Sequence, residues 1–369
     1  MTLSALKNKA YAVVGLAACI AFSSCSDDKE NNPSYNVPAT YNFANVDYSG
    51  QEARIAMLGE MDTYIKTGNN GAVLDAQKIK NMYANANAPF ANASLNEATT
   101  KQLKNKTIST AVTEFEGFFD KVATASQSAN AVASNGTAGI STSSTDPTKK
   151  YLLDANGVEY GQVISKGLMG AVFYFQTVEG YLTAEKIGPT VDNTTVVPGE
   201  GTKMEHHWDE AFGYFGAPKD FPANKSGLKY WANYSNKVDA VLGTNKAIMD
   251  AFIKGRAAIS AKDMAGKDAA TTTVRAELEK LVAASAILEL NAANKNMGDQ
   301  TLKSHYLSEA LGFVMSLKYK GDRKITDAQL AQVMTKIGTN FYNTSSTDIA
   351  AAADIIATAY NLNNVKGQL

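Results

Sequence analysis

Apolar residues recur every three or four positions along most of the chain, a spacing that places them on one face of an α-helix. Within Gln51–Lys66, the apolar stripe consists of Ile55, Leu58, Met61 and Ile65. The same spacing predicts helices over Thr107–Ala125, Gly161–Leu182, Lys203–Gly216, Asn245–Ala261, Thr273–Ala293 and Leu302–Tyr319. No stretch alternates apolar and polar residues convincingly, as a half-buried strand would. The pattern therefore predicts an all-α fold of antiparallel helix pairs.

Two segments interrupt this pattern. Residues Ser126–Lys150 are rich in Ser, Thr, Asn and Gly without periodicity, and Gly188–Gly201 is rich in Gly and Pro. Segments of these compositions cannot bury enough apolar surface to form part of a core, so both are predicted to be surface loops. We expect a helical domain over 42–369, with an N-terminal helical part and two helix-bundle repeats at about 150–240 and 245–330.

The N-terminus has the pattern of an export signal. Lys7 and Lys9 precede the uncharged apolar run Ala10–Phe22, which is followed by two serines and Cys25. We predict a lipoprotein signal peptide over 1–24, acylation of Cys25 and a flexible tether over 25–41. The alternative is an ordinary secretory signal that is cleaved nearby and leaves a free soluble protein.

The acidic residues that follow Cys25 resemble the export signal of Bacteroidetes surface lipoproteins. We therefore expect a lipid-anchored protein of the outer membrane on the cell surface, with the periplasmic face as the alternative. The anchor is the only membrane contact expected. A net charge of −1 gives no broad basic surface, so nucleic acid is not an expected partner.

The two cysteines restrict the chemistry further. Cys19 would leave with the signal peptide and Cys25 would be acylated, so the mature chain would hold no free thiol. Disulfides, thiolate zinc sites and cysteine nucleophiles are then excluded.

A short helical motif occurs twice, and it contains all three histidines of the chain. The segment His206–Gly213 matches His305–Gly312, which lies 99 residues further on, and the His, Glu, Ala and Gly positions are identical. This match predicts an internal duplication.

Within each copy the histidine lies four residues before a glutamate, His206 before Glu210 and His305 before Glu309. Residues four apart share a helix face, and His207 is three residues from Glu210. Imidazole and carboxylate groups bind iron or zinc, so these five residues form a candidate metal site. The competing interpretation is structural, namely a His–Glu hydrogen bond in a helix contact that the glycines allow to be close.

Complete catalytic motifs are missing. The sequence contains neither His-Glu-x-x-His nor Gly-x-Ser-x-Gly, so hydrolysis is not supported. Asp209 could act as an acid or base beside His206, but we interpret it as an exposed residue of the first helical turn that satisfies the helix N-terminus. Aromatic residues crowd the middle of the chain and are typical either of a core or of a face that binds a glycan or a protein surface. They are Phe173, Tyr174, Phe175, Tyr181, Trp208, Phe212, Tyr214, Phe215, Tyr230, Trp231 and Tyr234.

Two family resemblances follow from these motifs. The spacing of His207 and Glu210 is similar to that of the imelysin-like proteins, which are duplicated helix bundles implicated in iron uptake. That resemblance implies that His207 and Glu210 are the metal pair. The lipoprotein start, the overall length and the segment His206–Gly216 resemble the Bacteroidetes lipoproteins called domain of unknown function 4856.

These observations leave two functional hypotheses. The first is an accessory protein that binds iron or zinc during uptake. The second is a helical binding or scaffold lipoprotein without metal, which recognises a protein or a glycan.

Overall fold

The computed structural model describes residues 34–369. The predicted signal peptide, the predicted anchor Cys25 and most of the predicted tether therefore lie outside the described residues. Tyr35–Leu369 group into one unit by their contacts.

Helices dominate this part of the chain, as the apolar periodicity predicts. The helices before residue 170 are α1 (Ser49–Lys66), α2 (Ala76–Ala84), α3 (Ala93–Glu97), α4 (Val112–Ser126) and α5 (Tyr160–Leu168). Those after it are α6 (Ala184–Ile187), α7 (Lys203–Gly213), α8 (Tyr230–Leu242), α9 (Thr244–Ser260), α10 (Met264–Lys295), α11 (Gln300–Ser316), α12 (Asp327–Ile337) and α13 (Ser346–Ala359). The prediction of a mainly helical fold is confirmed.

The helix predicted over Gly161–Leu182 is not α-helical throughout. After α5 the chain continues as two π-helical segments, Met169–Tyr174 and Gln176–Tyr181. π-Helical turns are rare and occur frequently at functional sites. These segments carry Tyr181, which contacts the first histidine motif.

The Ser- and Thr-rich segment contains a β-hairpin that the sequence pattern does not predict. Strands β1 (Gly139–Thr142) and β2 (Lys150–Leu153) pair antiparallel. Just after β1, the Ser143 hydroxyl donates a 2.6 Å hydrogen bond to Asp299, the N-cap residue of α11. Polar side chains thus attach the segment after β1 to the start of α11, while Leu152 and Leu153 of β2 are buried.

Helix α10 is the centre of the domain and packs against α9, α11 and α13. Its small residues Ala283–Ala286 are fully buried and let neighbouring helices approach closely. Helix α5 packs against α11 and α1. This contact brings the second histidine motif, on α11, close to the first long helix. The origin of the fold by duplication stays a prediction.

Candidate functional site

The first histidine motif lies on α7, which begins at a capping box. The Thr202 hydroxyl accepts a hydrogen bond from the backbone N–H of Glu205, and the Glu205 carboxylate accepts one from the backbone N–H of Thr202. One turn further on, His206 Nε2 lies 3.9 Å from Glu210 Oε2. The structure therefore brings these two predicted residues together.

His207 has a different direct partner. Its Nδ1 lies 2.6 Å from the carbonyl oxygen of Lys186, and because a carbonyl oxygen only accepts, Nδ1 carries the proton. Burial lowers the pKa of His207, so the ring is neutral at pH 7 and its lone pair lies on Nε2.

Glu210 is held from the other side by α1 and the second π-helical segment. Its Oε1 accepts hydrogen bonds from Gln51 Nε2 and from the Tyr181 hydroxyl, both at 3.0 Å. Lys106 Nζ lies 3.2 Å from the same hydroxyl. The Glu210 carboxylate is thus held by two neutral donors, Gln51 and Tyr181, and the Lys106 ammonium group lies close to Tyr181.

The second motif, on α11, contains the more buried histidine. His305 Nδ1 lies 2.6 Å from Glu159 Oε2, and its Nε2 lies 3.8 Å from Glu309 Oε1. The Tyr151 ring stacks on the imidazole at 4.2 Å. Burial opposes a charge on His305, but the two carboxylates outweigh it and raise the pKa. His305 therefore bridges Glu159 at the start of α5 and Glu309 of α11.

Glu309 belongs to a buried cluster of charges. Its Oε1 lies 3.1 Å from Lys166 Nζ, and its Oε2 accepts a 3.3 Å hydrogen bond from the Tyr234 hydroxyl. Glu289 of α10 is a further neighbour, and burial together with the negative charge of Glu309 raises the pKa of Glu289. Lys166 compensates the charge of Glu309, whereas Lys237 Nζ lies 3.6 Å from Glu289 Oε1.

The surroundings of the two motifs are similar. In each, the glutamate accepts a hydrogen bond from a tyrosine hydroxyl, Tyr181 or Tyr234. In each, the glycine three residues later lies in a helix contact, where a Cβ atom on Gly213 or Gly312 would come within 2.6 Å of a neighbouring side chain. The close contact expected from these glycines is therefore present in both copies.

The structure pairs His206 with Glu210 and His305 with Glu309, whereas His207 contacts the backbone carbonyl oxygen of Lys186. Glu210 and Glu309 contact different side chains. Within residues 34–369, no three His, Cys, Asp or Glu side chains gather in a group that could hold a metal ion. Binding of iron or zinc at the individual pairs stays a prediction.

A recess in the protein surface lies beside the second motif. This α1–α5 cleft has a volume of about 740 Å³ and lies between α1, α5 and the segment 213–234. Its floor consists of buried and half-buried residues, namely Asp62, Ser165, Lys166, Met169, Tyr230 and Tyr234. Its rim includes the exposed residues Glu52, Ala56, Lys229 and Asn233.

Asp62 is the most unusual group in this cleft. Its Oδ2 accepts hydrogen bonds from the Ser165 hydroxyl at 2.9 Å and from the Tyr230 hydroxyl at 3.2 Å. Its Oδ1 is buried and accepts no hydrogen bond from the described residues. Burial raises the pKa of Asp62, an effect that the Lys166 ammonium only partly offsets. A buried carboxylate oxygen without a donor is costly, and such groups concentrate at functional sites.

The backbone at Tyr230 is strained. This residue begins α8 with a φ angle of +41°, a conformation that bulky residues rarely adopt and that is often found at functional sites. The strained backbone holds the Tyr230 hydroxyl against Asp62. Asp62, whose Oδ1 has no hydrogen-bond donor, is therefore in direct contact with Tyr230, whose backbone is strained.

Of the residues on the cleft floor, the aromatic pattern of the sequence pointed to Tyr230 and Tyr234 but not to Asp62 or Lys166, although one signal for Asp62 was present. Asp62 lies four residues after Leu58, which belongs to the apolar stripe of α1, so a carboxylate is placed on the buried side of that helix. Lys166 and Tyr230 join it only through the tertiary fold.

The aromatic residues of the middle segment belong mainly to the core. Of the set considered above, only Phe175 and Tyr230 are half-buried, and the others are buried. The core interpretation therefore applies to most of them, whereas Tyr230 lines the cleft.

Comparisons with known proteins place the chain in a family. In the described part, no helix is both long enough and apolar enough to cross a membrane. No curated protein and no solved structure matched the chain. The profile of the family described as Domain of unknown function (DUF4856) matches residues 38–362, which is most of the sequence. The chain therefore belongs to the DUF4856 family.

Proposed function

We propose that this protein is a lipid-anchored binding protein whose ligand site is the α1–α5 cleft. The observation that carries the proposal is Asp62, a residue that lines the cleft and whose buried Oδ1 accepts no hydrogen bond from the described residues. Leaving a buried acceptor unsatisfied costs free energy, and a ligand that donates a hydrogen bond there removes that cost.

The size and lining of the cleft support the same proposal. Small-molecule sites have volumes of about 300–1,000 Å³ and combine apolar walls with a few convergent polar groups. The cleft has about 740 Å³, with Ile55 and Leu228 beside the polar groups of Asp62 and Lys166.

The anchor is the second part of the proposal. Acylation of Cys25 would leave a short polar tether before the helical domain and would display the cleft at the outer membrane, on the cell surface or on the periplasmic side. Labelling cells with a palmitate analogue tests this directly. We expect label on the wild-type protein and none on Cys25→Ser, and protease treatment of intact cells distinguishes the two faces.

A blocked cleft tests the ligand site. Ala56 is an exposed alanine of α1 at the rim, and Ala331 is an exposed alanine of α12 that does not line the cleft. We would measure melting temperatures of the full chain, Ala56→Trp and Ala331→Trp with three sets of probes: neutral oligosaccharides, alkylammonium compounds and small dicarboxylates.

A ligand that binds the native state raises its melting temperature. The proposal predicts that at least one set stabilises the wild-type protein and Ala331→Trp but not Ala56→Trp. Stabilisation that persists in Ala56→Trp, or none with any set, would contradict the cleft as the ligand site.

Iron or zinc binding is the second candidate function, and one observation favours it. His207 Nδ1 contacts the carbonyl oxygen of Lys186, and His305 Nδ1 contacts the carboxylate of Glu159. Metal-binding histidines usually donate their other ring N–H to such oxygens, which orients the ligating nitrogen. Buried structural histidines make the same contacts, so the cleft remains the better-supported site.

A further inference from the structure

We infer that the turn formed by residues 196–200 is a second membrane contact, whose apolar side chains enter the interface of the bilayer that holds the lipid anchor. This inference rests on the anchor of the proposed function, and it adds a contact that the sequence did not predict. It follows from the place where the described chain begins, from the attachment of the 196–200 turn to the same place and from the two exposed valines of the turn.

The described chain is bound to the helical domain from Tyr35 onwards. The Tyr35 hydroxyl donates a 2.9 Å hydrogen bond to Oδ2 of Asp263, the N-cap residue of α10. Tyr41 is fully buried, and its backbone N–H donates to the carbonyl oxygen of Lys219. The part of the predicted tether after residue 34 is therefore attached, and the described chain begins at the corner between α9 and α10.

The length of chain before this corner limits its distance from the anchor. Ser34 follows Cys25 by nine residues, and even a fully extended chain of this length spans at most about 30 Å. Helix α10 has 32 residues, so its other end lies about 48 Å from the corner. The α9–α10 corner is therefore the end of α10 that an acylated Cys25 would keep close to the bilayer.

The 196–200 turn is attached to this corner on two sides. The Asn193 side-chain amide donates a 2.9 Å hydrogen bond to the carbonyl oxygen of Ile259 in α9, and its Oδ1 lies 3.1 Å from Lys262 Nζ. On the other side, the backbone N–H of Gly199 donates to Asn45 Oδ1 at 3.1 Å. Lys262 directly precedes the N-cap residue of α10, so the turn and the first described residues lie at the same corner.

The turn presents apolar side chains to solvent. Val196 and Val197 are 56% and 46% exposed, and no other exposed large apolar residues of the described chain are neighbours in sequence. The backbone N–H of Glu200 donates to the carbonyl oxygen of Val197 and closes the turn around Pro198 and Gly199. A Cβ atom on Gly199 would meet no atom within 4 Å, so the turn projects from the domain. Contiguous exposed apolar residues, unlike single ones, point to an interaction surface.

A bilayer is the partner that fits this surface. The exposed charges beside the valines, Glu200 and Lys203, have opposite signs, so the surface has no preference for a charged partner and zwitterionic lipid suffices. Two valines alone would bind a membrane weakly. The anchor makes their contact intramolecular and so raises the effective concentration of the bilayer at the turn. Apolar side chains then gain free energy by leaving water for the boundary between head groups and acyl chains.

Quenching of tryptophan fluorescence by brominated lipids tests the inference. The full chain is purified in detergent and reconstituted into phosphatidylcholine vesicles with or without bromine on the acyl chains. We would compare the wild-type protein, Val197→Trp and the control Val132→Trp. Val132 is 81% exposed and lies beside β1, at the opposite end of α10. The native Trp208 and Trp231 are buried in the core, so the added tryptophan is the exposed one.

We expect Val197→Trp to lose fluorescence in the brominated vesicles, while Val132→Trp and the wild-type protein keep theirs. Adding Val196→Asp to Val197→Trp separates insertion of the turn from mere proximity to lipid. A carboxylate resists entry into the bilayer, so this change should restore most of the fluorescence that bromine removes. Flotation of the vesicles reports the anchor separately, because an anchored protein floats with them.

The outcomes distinguish the turn from the anchor. If the protein floats with the vesicles but Val197→Trp is not quenched, or is quenched equally with and without Val196→Asp, the anchor stands and the turn is not a membrane contact. Equal quenching of Val132→Trp and Val197→Trp would likewise overturn the inference. If the wild-type protein does not float with the vesicles, the anchor and the inference that rests on it are both wrong.

Discussion

Lys166 Nζ lies 3.1 Å from Glu309 Oε1, and this contact joins the second histidine motif to the floor of the α1–α5 cleft. Lys166 lines the cleft, whereas Glu309 lies on α11 beside His305. The repeated motif and the cleft are therefore neighbours, although the sequence pointed only to the motif.

Replacing Lys166 should destabilise the fold. In Lys166→Met, the carboxylates of Glu309 and Glu289 lose the ammonium group that lies closest to Glu309. Removing one partner of a buried ion pair costs about 3–5 kcal/mol, measurable by urea denaturation. The matched control is Lys318→Met, which breaks a solvent-exposed pair with Glu114 and should cost less than about 1 kcal/mol. If the two variants lost equal free energy of unfolding, the buried Lys166–Glu309 pair would contribute no more to stability than the exposed pair.

The motif glycines should be sensitive to a single added methyl group. A Cβ atom on Gly312 would lie 2.6 Å from Lys166 Cβ, and one on Gly213 would lie 2.6 Å from Tyr48 Cβ. We expect either Gly→Ala variant to lose about 1–3 kcal/mol of unfolding free energy through overpacking. Gly117 within α4 has no neighbouring atom within 4 Å of the added carbon, so Gly117→Ala should gain about 0.5–1 kcal/mol. A stabilising effect at Gly213 or Gly312 would refute the close helix contact.

Acid should weaken the attachment of the hairpin. Burial alone would raise the pKa of Asp299, but the hydrogen bonds that it accepts from Ser143, Leu302 and Thr145 outweigh burial and lower the pKa to about 2. An acid with a depressed folded-state pKa contributes stability above its unfolded value, near 3.9, and loses it as pH falls towards 2.

Asp299→Asn tests this pH dependence, because asparagine still caps a helix but carries no charge. We expect the variant to be less stable than the wild-type protein at pH 7 by about 2 kcal/mol. The difference should shrink as pH falls from 5 to 2, which urea denaturation at each pH would show. A difference that stays constant over this range would exclude the charge of Asp299 as its cause.

Metal binding at the histidine pairs is open to direct measurement. If iron or zinc binds, protein purified without chelator contains stoichiometric metal by mass spectrometry, and adding Zn²⁺ or Fe²⁺ raises the melting temperature. His206→Ala and His305→Ala would each remove the metal bound at its own pair, and the two changes together would abolish both effects. If the pairs are structural, the same variants lower stability, and neither metal content nor metal-dependent melting changes.

Local features of the fold could be predicted from the sequence. The helices follow the apolar spacing, and both His–Glu pairs form because residues four apart share a helix face. The hairpin escaped prediction because neither strand alternates apolar and polar residues. The segment after β1 is attached through the Ser143 hydroxyl to the N-cap residue Asp299, and in β2 the buried residues Leu152 and Leu153 are consecutive.

Long-range pairs could not be predicted in the same way. We interpreted Asp209 as exposed, and this was wrong, since it is fully buried and pairs with Arg256 Nε at 2.9 Å. The Tyr41 hydroxyl also donates to it, at 2.6 Å. Both partners are distant in sequence, as Glu159 is from His305, so neither spacing nor periodicity reveals them. The Asp62 site arises in the same way from α1, α5 and α8.

The most direct test of the central claim is a crystal structure of the protein soaked with whichever of the three probe sets stabilises it most. The account predicts ligand density in the α1–α5 cleft, in contact with Asp62. Ligand density elsewhere on the molecule, with the cleft unchanged, would contradict it.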